Sequence, residues 1–261
     1  MAHKGFELQE IQRRVLPLVQ AAGERLCTSF AQATQKADGS LVTAADIITE
    51  RLLTDQLRAI YPQIAMLAEE QHHHYGGTPW CWVLDPIDGT TNFVLGIPIW
   101  GLSLALLYQG EPVFGVLHFP LLRATYTAIL GQGAYCDGRR LETMRTDRPV
   151  VEAVSFCARS YARWQLQPPY KPRMLGCTAY NFALVAAGVV AAGLDLDVHV
   201  WDVAAGALLV QEAGGFIGYL DTPGLFPLQA GVDYRQNSFS SLCAANILVA
   251  DQLLVHLRPR E

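Results

Sequence analysis

From Phe6 to about Phe30, apolar side chains return at helical spacing (Leu8, Ile11, Val15, Leu18, Val19, Ala22, Leu26), which predicts a long amphipathic helix. The polar stretch KADGSLVTAAD follows, and a second helix is expected from about Ala44 to Ile60. It is ended by Tyr61-Pro62, because the residue before a proline is pushed out of helical geometry. IAMLA and WCWVL are short apolar runs of strand type, separated by the glycine-bounded loop QHHHYGGTP. DPIDGTTNF reads as the turn after the second strand. From Trp100 to Leu130 the pattern becomes two or three strands punctuated by Gln109-Gly110 and Phe119-Pro120, an antiparallel meander, with GQGAYCDGRRLE as a further turn. A strand near Val151 opens the second half. Beyond the proline-rich ARWQLQPPYKP, an alanine-rich helix is predicted from about Tyr180 to Ala192. The short segment LDLDVHV leads into a helix in WDVAAGALLVQEAGG, closed by Gly214-Gly215, and LVAD with QLLVHL gives a last helix. Strands and helices mixed in both halves imply a layered α/β or α+β architecture. The expected division is an N-terminal α+β part over residues 1–145 and a C-terminal α/β part over 146–261.

Composition narrows the classes. A formal charge of −5 with no basic stripe argues against a nucleic-acid partner. The most apolar run, FALVAAGVVAAGLDLDVHV, holds only about a dozen consecutive apolar or small residues, too few to span a bilayer. The amphipathic start MAHKGFELQEIQRRVL is unlike a signal peptide. The six cysteines lie far apart with no CxxC pair, which suits reduced core thiols and a cytoplasmic location.

Carboxylates supply the chemistry. Asp85 and Asp88 follow one strand, Glu69 and Glu70 follow another, and Asp202 stands between Trp201 and a strongly apolar helix. An Asx-turn around Pro86 would account for the first pair on its own. Three acidic positions at the ends of apolar elements would repel one another unless a cation sat among them, and hard oxygen donors suit Mg²⁺ or Mn²⁺. Gly89 allows a tight turn. A helix starting within Gly89–Asn92 would offer free N–H groups to an anion, and the Thr90 hydroxyl could orient a water. Phosphoryl transfer to water needs such an arrangement.

WVLDPIDGTTNF together with WDVAAGALLVQEAGG resembles the two signature motifs of the inositol monophosphatase family, the Mg²⁺-dependent, lithium-sensitive phosphomonoesterases. KADGSLVTAAD and LAEEQ also fit, so the resemblance covers nearly the whole chain. It implies a layered αβαβα sandwich, homodimeric assembly, and two or three Mg²⁺ ions with Mn²⁺ as a substitute. By the same resemblance Glu70 is a ligand of the first metal. Asp85 bridges two metals, the Ile87 carbonyl is a further ligand, and Asp88 and Asp202 hold the second metal. Thr90 with Glu70 would activate the nucleophilic water, Asp46 would support that water or an optional third ion, and the Gly89 and Thr90 N–H groups would hold phosphate. The implied chemistry is in-line attack by water on a small phosphate monoester. A substrate-contact segment appears as Gly176-Cys177-Thr178-Ala179, with its acidic companion at Asp195.

Inositol monophosphate leads among the substrates this resemblance implies, followed by fructose 1,6-bisphosphate, histidinol phosphate and 3'-phosphoadenosine 5'-phosphate. A catalytically idle relative that binds a phosphometabolite, or a structural protein, is the alternative of another class. His72, His73 and His74 read as an exposed loop, with a lid or an extra-metal role as the second reading. His199 reads as structural. Lys36 is placed near the phosphate or on the surface, Arg163, Lys171 and Arg173 at a dimer interface or in water. Cys177 is a core thiol near the substrate that could be reactive.

Overall fold

The computed structural model describes residues 6–29, 33–35, 41–144 and 152–260. Seven helices are used below: α1 (Leu8–Leu26), α2 (Ala44–Ile60), α3 (Thr90–Leu95), α4 (Ala158–Arg163), α5 (Thr178–Ala186), α6 (Val200–Glu212) and α7 (Ile247–Val255). Lys36 lies outside the described residues.

Strand alternation explains the layers. In the first sheet, Ala65–Ala68 runs parallel to Trp80–Asp88, and the strands Gly101–Tyr108, Glu111–Phe119, Ala124–Ile129, Gly133–Cys136 and Arg139–Arg140 follow as an antiparallel meander. Successive side chains point to opposite faces. Met66, Ala68, Trp82, Leu84, Leu104 and Val116 pack with the apolar stripe of α1 (Ile11, Val15, Val19) and with Leu53 and Leu57 of α2. Leu67, Cys81, Val83, Ala105, Leu117 and Phe119 face the other way, onto Phe182 of α5 and Val203, Ala204 and Leu208 of α6. Gly115 permits that contact, since a Cβ there would come within 3.1 Å of the Ala205 backbone.

The second sheet orders its strands Lys171–Arg173, Ala153–Phe156, Ala192–Val198, Phe239–Ala244 and Phe216–Tyr219. Its inner face meets α5 and α6 through Ala153, Val198 and Cys243. On its outer face, Val154, Phe156, Leu194 and Leu242 pack with Ala250 and Leu253 of α7, and α4 lies along the Ala192–Val198 strand. Helix pair, sheet, helix pair, sheet, helix pair is the αβαβα sandwich.

The helices Leu8–Leu26 and Ala44–Ile60 match the hydrophobic pattern closely, and Thr43 starts α2 with a reciprocal capping box to Asp46. Three expectations change. The WCWVL strand continues through Asp88, with its register broken between Asp85 and Asp88, where Pro86 has no N–H to offer the ladder. The alanine-rich helix stops at Ala186, and Ala192 already belongs to a strand. The histidine loop carries a short strand, His74–Tyr75, paired with Val232–Asp233.

All six cysteines are free; Cys81, Cys177 and Cys243 are core, whereas Cys27 is exposed. No helix among the described residues is long and apolar enough to cross a membrane.

Candidate active site

A cavity of about 380 Å³ opens where the two sheets and α3–α6 approach one another. Glu69, Asp85, Ile87, Asp88, Gly89, Thr90 and Thr91 line it from the first sheet and α3. Gly176, Cys177, Thr178 and Asp202 line it from α5 and α6, and Cys157, Ala158, Arg159 and Asp197 from the second sheet and α4. Most of the positions singled out in the sequence therefore meet here, although they are spread over more than a hundred residues.

Asp85 is 2% exposed, and its Oδ1 accepts the Ile87 N–H at 2.9 Å. The Asx-turn is therefore real, and it coexists with the acidic cluster. Burial, and then the charges of Glu69, Asp88, Asp202 and Asp46, push the Asp85 carboxyl well above its ordinary value. Asp88 is held by α5: the Thr178 N–H (3.2 Å), the Ala179 N–H and the Cys177 thiol (3.2 Å) all donate to it. Burial raises the Asp88 pKa against these donors and the Gly89 N–H. Because Cys177 makes no side-chain cap of its own, Asp88 caps α5 from a distant strand. Asp202 is held at the start of α6 by the His199 N–H at 2.8 Å, and its pKa is raised to about 6, chiefly by burial and then by Asp88.

Thr90 Oγ1 lies 3.0 Å from the Ile87 carbonyl and 3.4 Å from Asp46 Oδ1. Asp46 is fully buried. Burial pushes its pKa to about 6 against the hydroxyl and N–H of Thr43. Gly89 turns the chain at φ 89°, and any Cβ there would sit 3.1 Å from the Ile99 carbonyl and 3.2 Å from that of Gly176.

Two sequence assignments are placed differently. The glutamate lining the cavity is Glu69; Glu70 is not among the lining residues. Leu67 is paired with Val83 and Ala68 with Leu84, and the strand ends there, so Glu69 and Glu70 stand in the turn that follows it. The Glu69 N–H donates to the Leu84 carbonyl at 3.2 Å, which holds the start of that turn beside the second strand. The Glu70 N–H donates to Glu50 Oε2 at 2.6 Å, and the Glu70 charge acts on Asp46. Asp195 does not reach the cavity wall either. It is 1% exposed and accepts the Asn181 amide at 2.9 and 3.1 Å. A register break between Asp195 and Val198 turns Asp197 outward instead.

Sequence reasoning missed the parts that hold Glu69. The buried Glu50 carboxylate accepts the N–H groups of Glu70 and Gln71 and lies 3.4 Å from the His72 ring, and His73 Nε2 meets the Glu69 carbonyl at 2.7 Å. Helical periodicity in α2 was an available signal, since Glu50 lies four residues after Asp46 on the buried face. His72 and His73 are thus partly buried and engaged, contrary to the free-loop reading. His199 caps α6 and stacks on Trp201 at 5.0 Å. Cys177 differs from the reactive thiol considered above: burial, and then the Asp88 charge, keep it protonated and donating.

Among the described residues no three His, Cys, Asp or Glu side chains converge tightly enough to form a ready-made ligand group. The donor chemistry nonetheless fits a hard divalent cation. Oxygen groups on Glu69, Asp85, Ile87, Asp88 and Asp202 line one cavity, and the carboxylates there raise one another's pKa values. A test follows from linkage. The folded-state pKa values of Asp46, Asp85, Asp88 and Asp202 all lie above the unfolded value, so the folded chain binds more protons as pH falls from about 6 toward 4. EDTA-treated protein should therefore melt at a higher temperature at pH 5 than at pH 7. A calorimetric scan showing the reverse order would remove the repulsion argument.

The model of the inositol monophosphatase family matches residues 7–250. The inositol-1-monophosphatase of Mesorhizobium japonicum is 33% identical over 258 residues, covering 91% of this chain and 93% of that protein. A fructose-1,6-bisphosphatase/inositol-1-monophosphatase of Thermotoga maritima is 36% identical over 68% of this chain and 70% of its own length. Among solved structures, the inositol monophosphatase of Thermotoga maritima superposes with a TM-score of 0.77 at 27% identity, covering 95% of this chain and 96% of that one. The chain belongs to the inositol monophosphatase family. Membership places it among the metal-dependent phosphomonoesterases, hydrolases of small phosphate esters.

Proposed function

We propose that this protein hydrolyses inositol monophosphate, or a close small-molecule relative, to the free alcohol and phosphate, as a Mg²⁺-dependent cytoplasmic homodimer. The observation that carries this reading is the meeting of Glu69, Asp85, Asp88 and Asp202 with Gly89-Thr90-Thr91 in one cavity. The four carboxylates and the Ile87 carbonyl would hold two or three Mg²⁺ ions, with Mn²⁺ as a substitute. Glu69 takes the ligand role that resemblance gave to Glu70. Bound Mg²⁺ supplies Lewis acidity, making water acidic near neutral pH and screening the phosphoryl oxygens.

The chain's own residues do the rest. The Thr90 hydroxyl can donate its hydrogen bond to the Ile87 carbonyl or to Asp46, which leaves Oγ1 to accept from a water in the cavity. Asp46, with a pKa of about 6, is a suitable proton acceptor at the end of that relay. The Gly89 and Thr90 N–H groups are assigned to the phosphate, the former shared with Asp88. Gly176, Cys177 and Thr178 form the floor beneath the alcohol part of the substrate.

The experiment is phosphate release from inositol 1-phosphate, fructose 1,6-bisphosphate, histidinol phosphate and 3'-phosphoadenosine 5'-phosphate, each with and without Mg²⁺. Preference for the inositol ester is the expected result. Preference for another ester keeps the mechanism and changes the substrate. If no ester is hydrolysed with Mg²⁺, the catalytic reading fails and a binding or structural role takes its place.

A further inference from the structure

We propose that Arg159 and Asp197 form an exchangeable pair that lets the site admit, beside the inositol ester, phosphate monoesters carrying a second anionic group. This rests on the reading of the cavity given above and deepens it. Arg159 is the only cationic residue among the described residues lining the cavity, where the other charged residues are Glu69, Asp85, Asp88, Asp197 and Asp202. It stands on α4, in a different layer from Asp85 and Asp88 of the first sheet. Its partner is Asp197: Arg159 Nη1 donates to the Asp197 carbonyl at 3.1 Å, and Nε lies 3.9 Å from Oδ2.

Two features make this contact easy to exchange. The side chains are 55% and 61% exposed, and an exposed pair at that separation contributes little. The stronger of the two contacts goes to a backbone carbonyl, which steers the guanidinium without neutralising it. The position is nonetheless built. Asp197 sits at φ 54°, a left-handed conformation uncommon outside glycine. That conformation falls within the register break of the Ala192–Val198 strand that turns Asp197 to the cavity while Asp195 stays inside. Beside a cluster of carboxylates, a guanidinium presents two parallel N–H donors suited to a phosphate or carboxylate. A substrate with one phosphate on the metal side and a second anion on the remote side would displace the Asp197 carboxylate and take both donors. A substrate with only hydroxyls there gains less. Relative to a site without Arg159, bisphosphates and phosphorylated acids gain affinity, with Asp197 as the competing internal anion, while the inositol ester remains the preferred substrate.

The test compares calorimetric binding of two non-hydrolysable phosphonates to the Mg²⁺-loaded protein: the analogues of inositol 1-phosphate and of fructose 1,6-bisphosphate. In Arg159→Gln the affinity ratio should move away from the bisphosphonate by about tenfold, the worth of one charge-assisted contact. Arg159→Lys should recover part of that change, and Asp197→Asn should move the ratio the opposite way. A ratio within about twofold of wild type in Arg159→Gln, or failure of the wild type to bind either analogue, overturns the proposal. Because the readout is binding, it is independent of turnover. A protein that hydrolyses neither ester but shows the shifted ratio would lose the proposed function and keep this selectivity.

Discussion

Asp85→Asn should lower the rate of phosphate release by about 10³-fold or more, because removing a ligand shared within the cluster forfeits several kcal/mol of transition-state stabilisation. The fold should survive. Asparagine keeps an Oδ1 that can accept the Ile87 N–H, so the turn after the strand is retained. Stability should move opposite to activity. Burial and four neighbouring carboxylates destabilise the ionised form of Asp85, and a neutral amide escapes that penalty. In EDTA the variant should melt a few degrees above wild type, since ~1 kcal/mol corresponds to roughly 2–4 °C in a chain of this size. Steady-state kinetics and calorimetry on the same preparation check both halves. Wild-type turnover would remove Asp85 from the site, and a lower melting temperature would show that the cluster is not under electrostatic strain. Asp85 is a cleaner probe than Asp88, whose carboxylate also caps α5, so that its loss would mix catalysis with folding.

The second large effect separates two neighbours. Glu69→Gln should cost about 10²- to 10³-fold in turnover and raise the Mg²⁺ concentration needed for half activity. Glu70→Gln should cost less than Glu69→Gln, because Glu69 lines the cavity whereas the Glu70 charge acts there through Asp46. Titrating each variant with Mg²⁺ gives the answer. If Glu70→Gln proves the more damaging, the ligand role reverts to the second glutamate.

That pair shows where the sequence was legible and where it was not. Motif order fixed the cavity's location, because Asp85, Asp88, Thr90 and Asp202 each sit at the end of an element whose periodicity is plain. Choosing between Glu69 and Glu70 required the path of the turn after the Ala65–Ala68 strand, which hydrogen bonds to Leu84, Glu50 and His73 set and no local pattern reveals. Asp195 could not be resolved by local pattern either. Asp195 and Asp197 share parity in LDLD, and only the break before Val198 decides which one reaches the cavity. The strands Phe216–Tyr219 and Phe239–Ala244 went unassigned because their alternation is short and mixed with serine and glycine. Arg159 was overlooked because nothing around it in sequence marks it; its significance comes from the acidic company that the fold provides.

The placement of α5 and α6 between the two sheets has a consequence for how the chain is made. The inner face of the first sheet, with Leu67, Val83, Ala105, Leu117 and Phe119, finds much of its cover in residues 178–212. A ribosome extending the chain at about 5–20 residues per second therefore leaves a broad apolar surface bare for several seconds after the meander has emerged. During that interval the nascent chain is a natural client for holding chaperones, and slowing translation between residues 140 and 212 should increase its aggregation more than slowing it anywhere later.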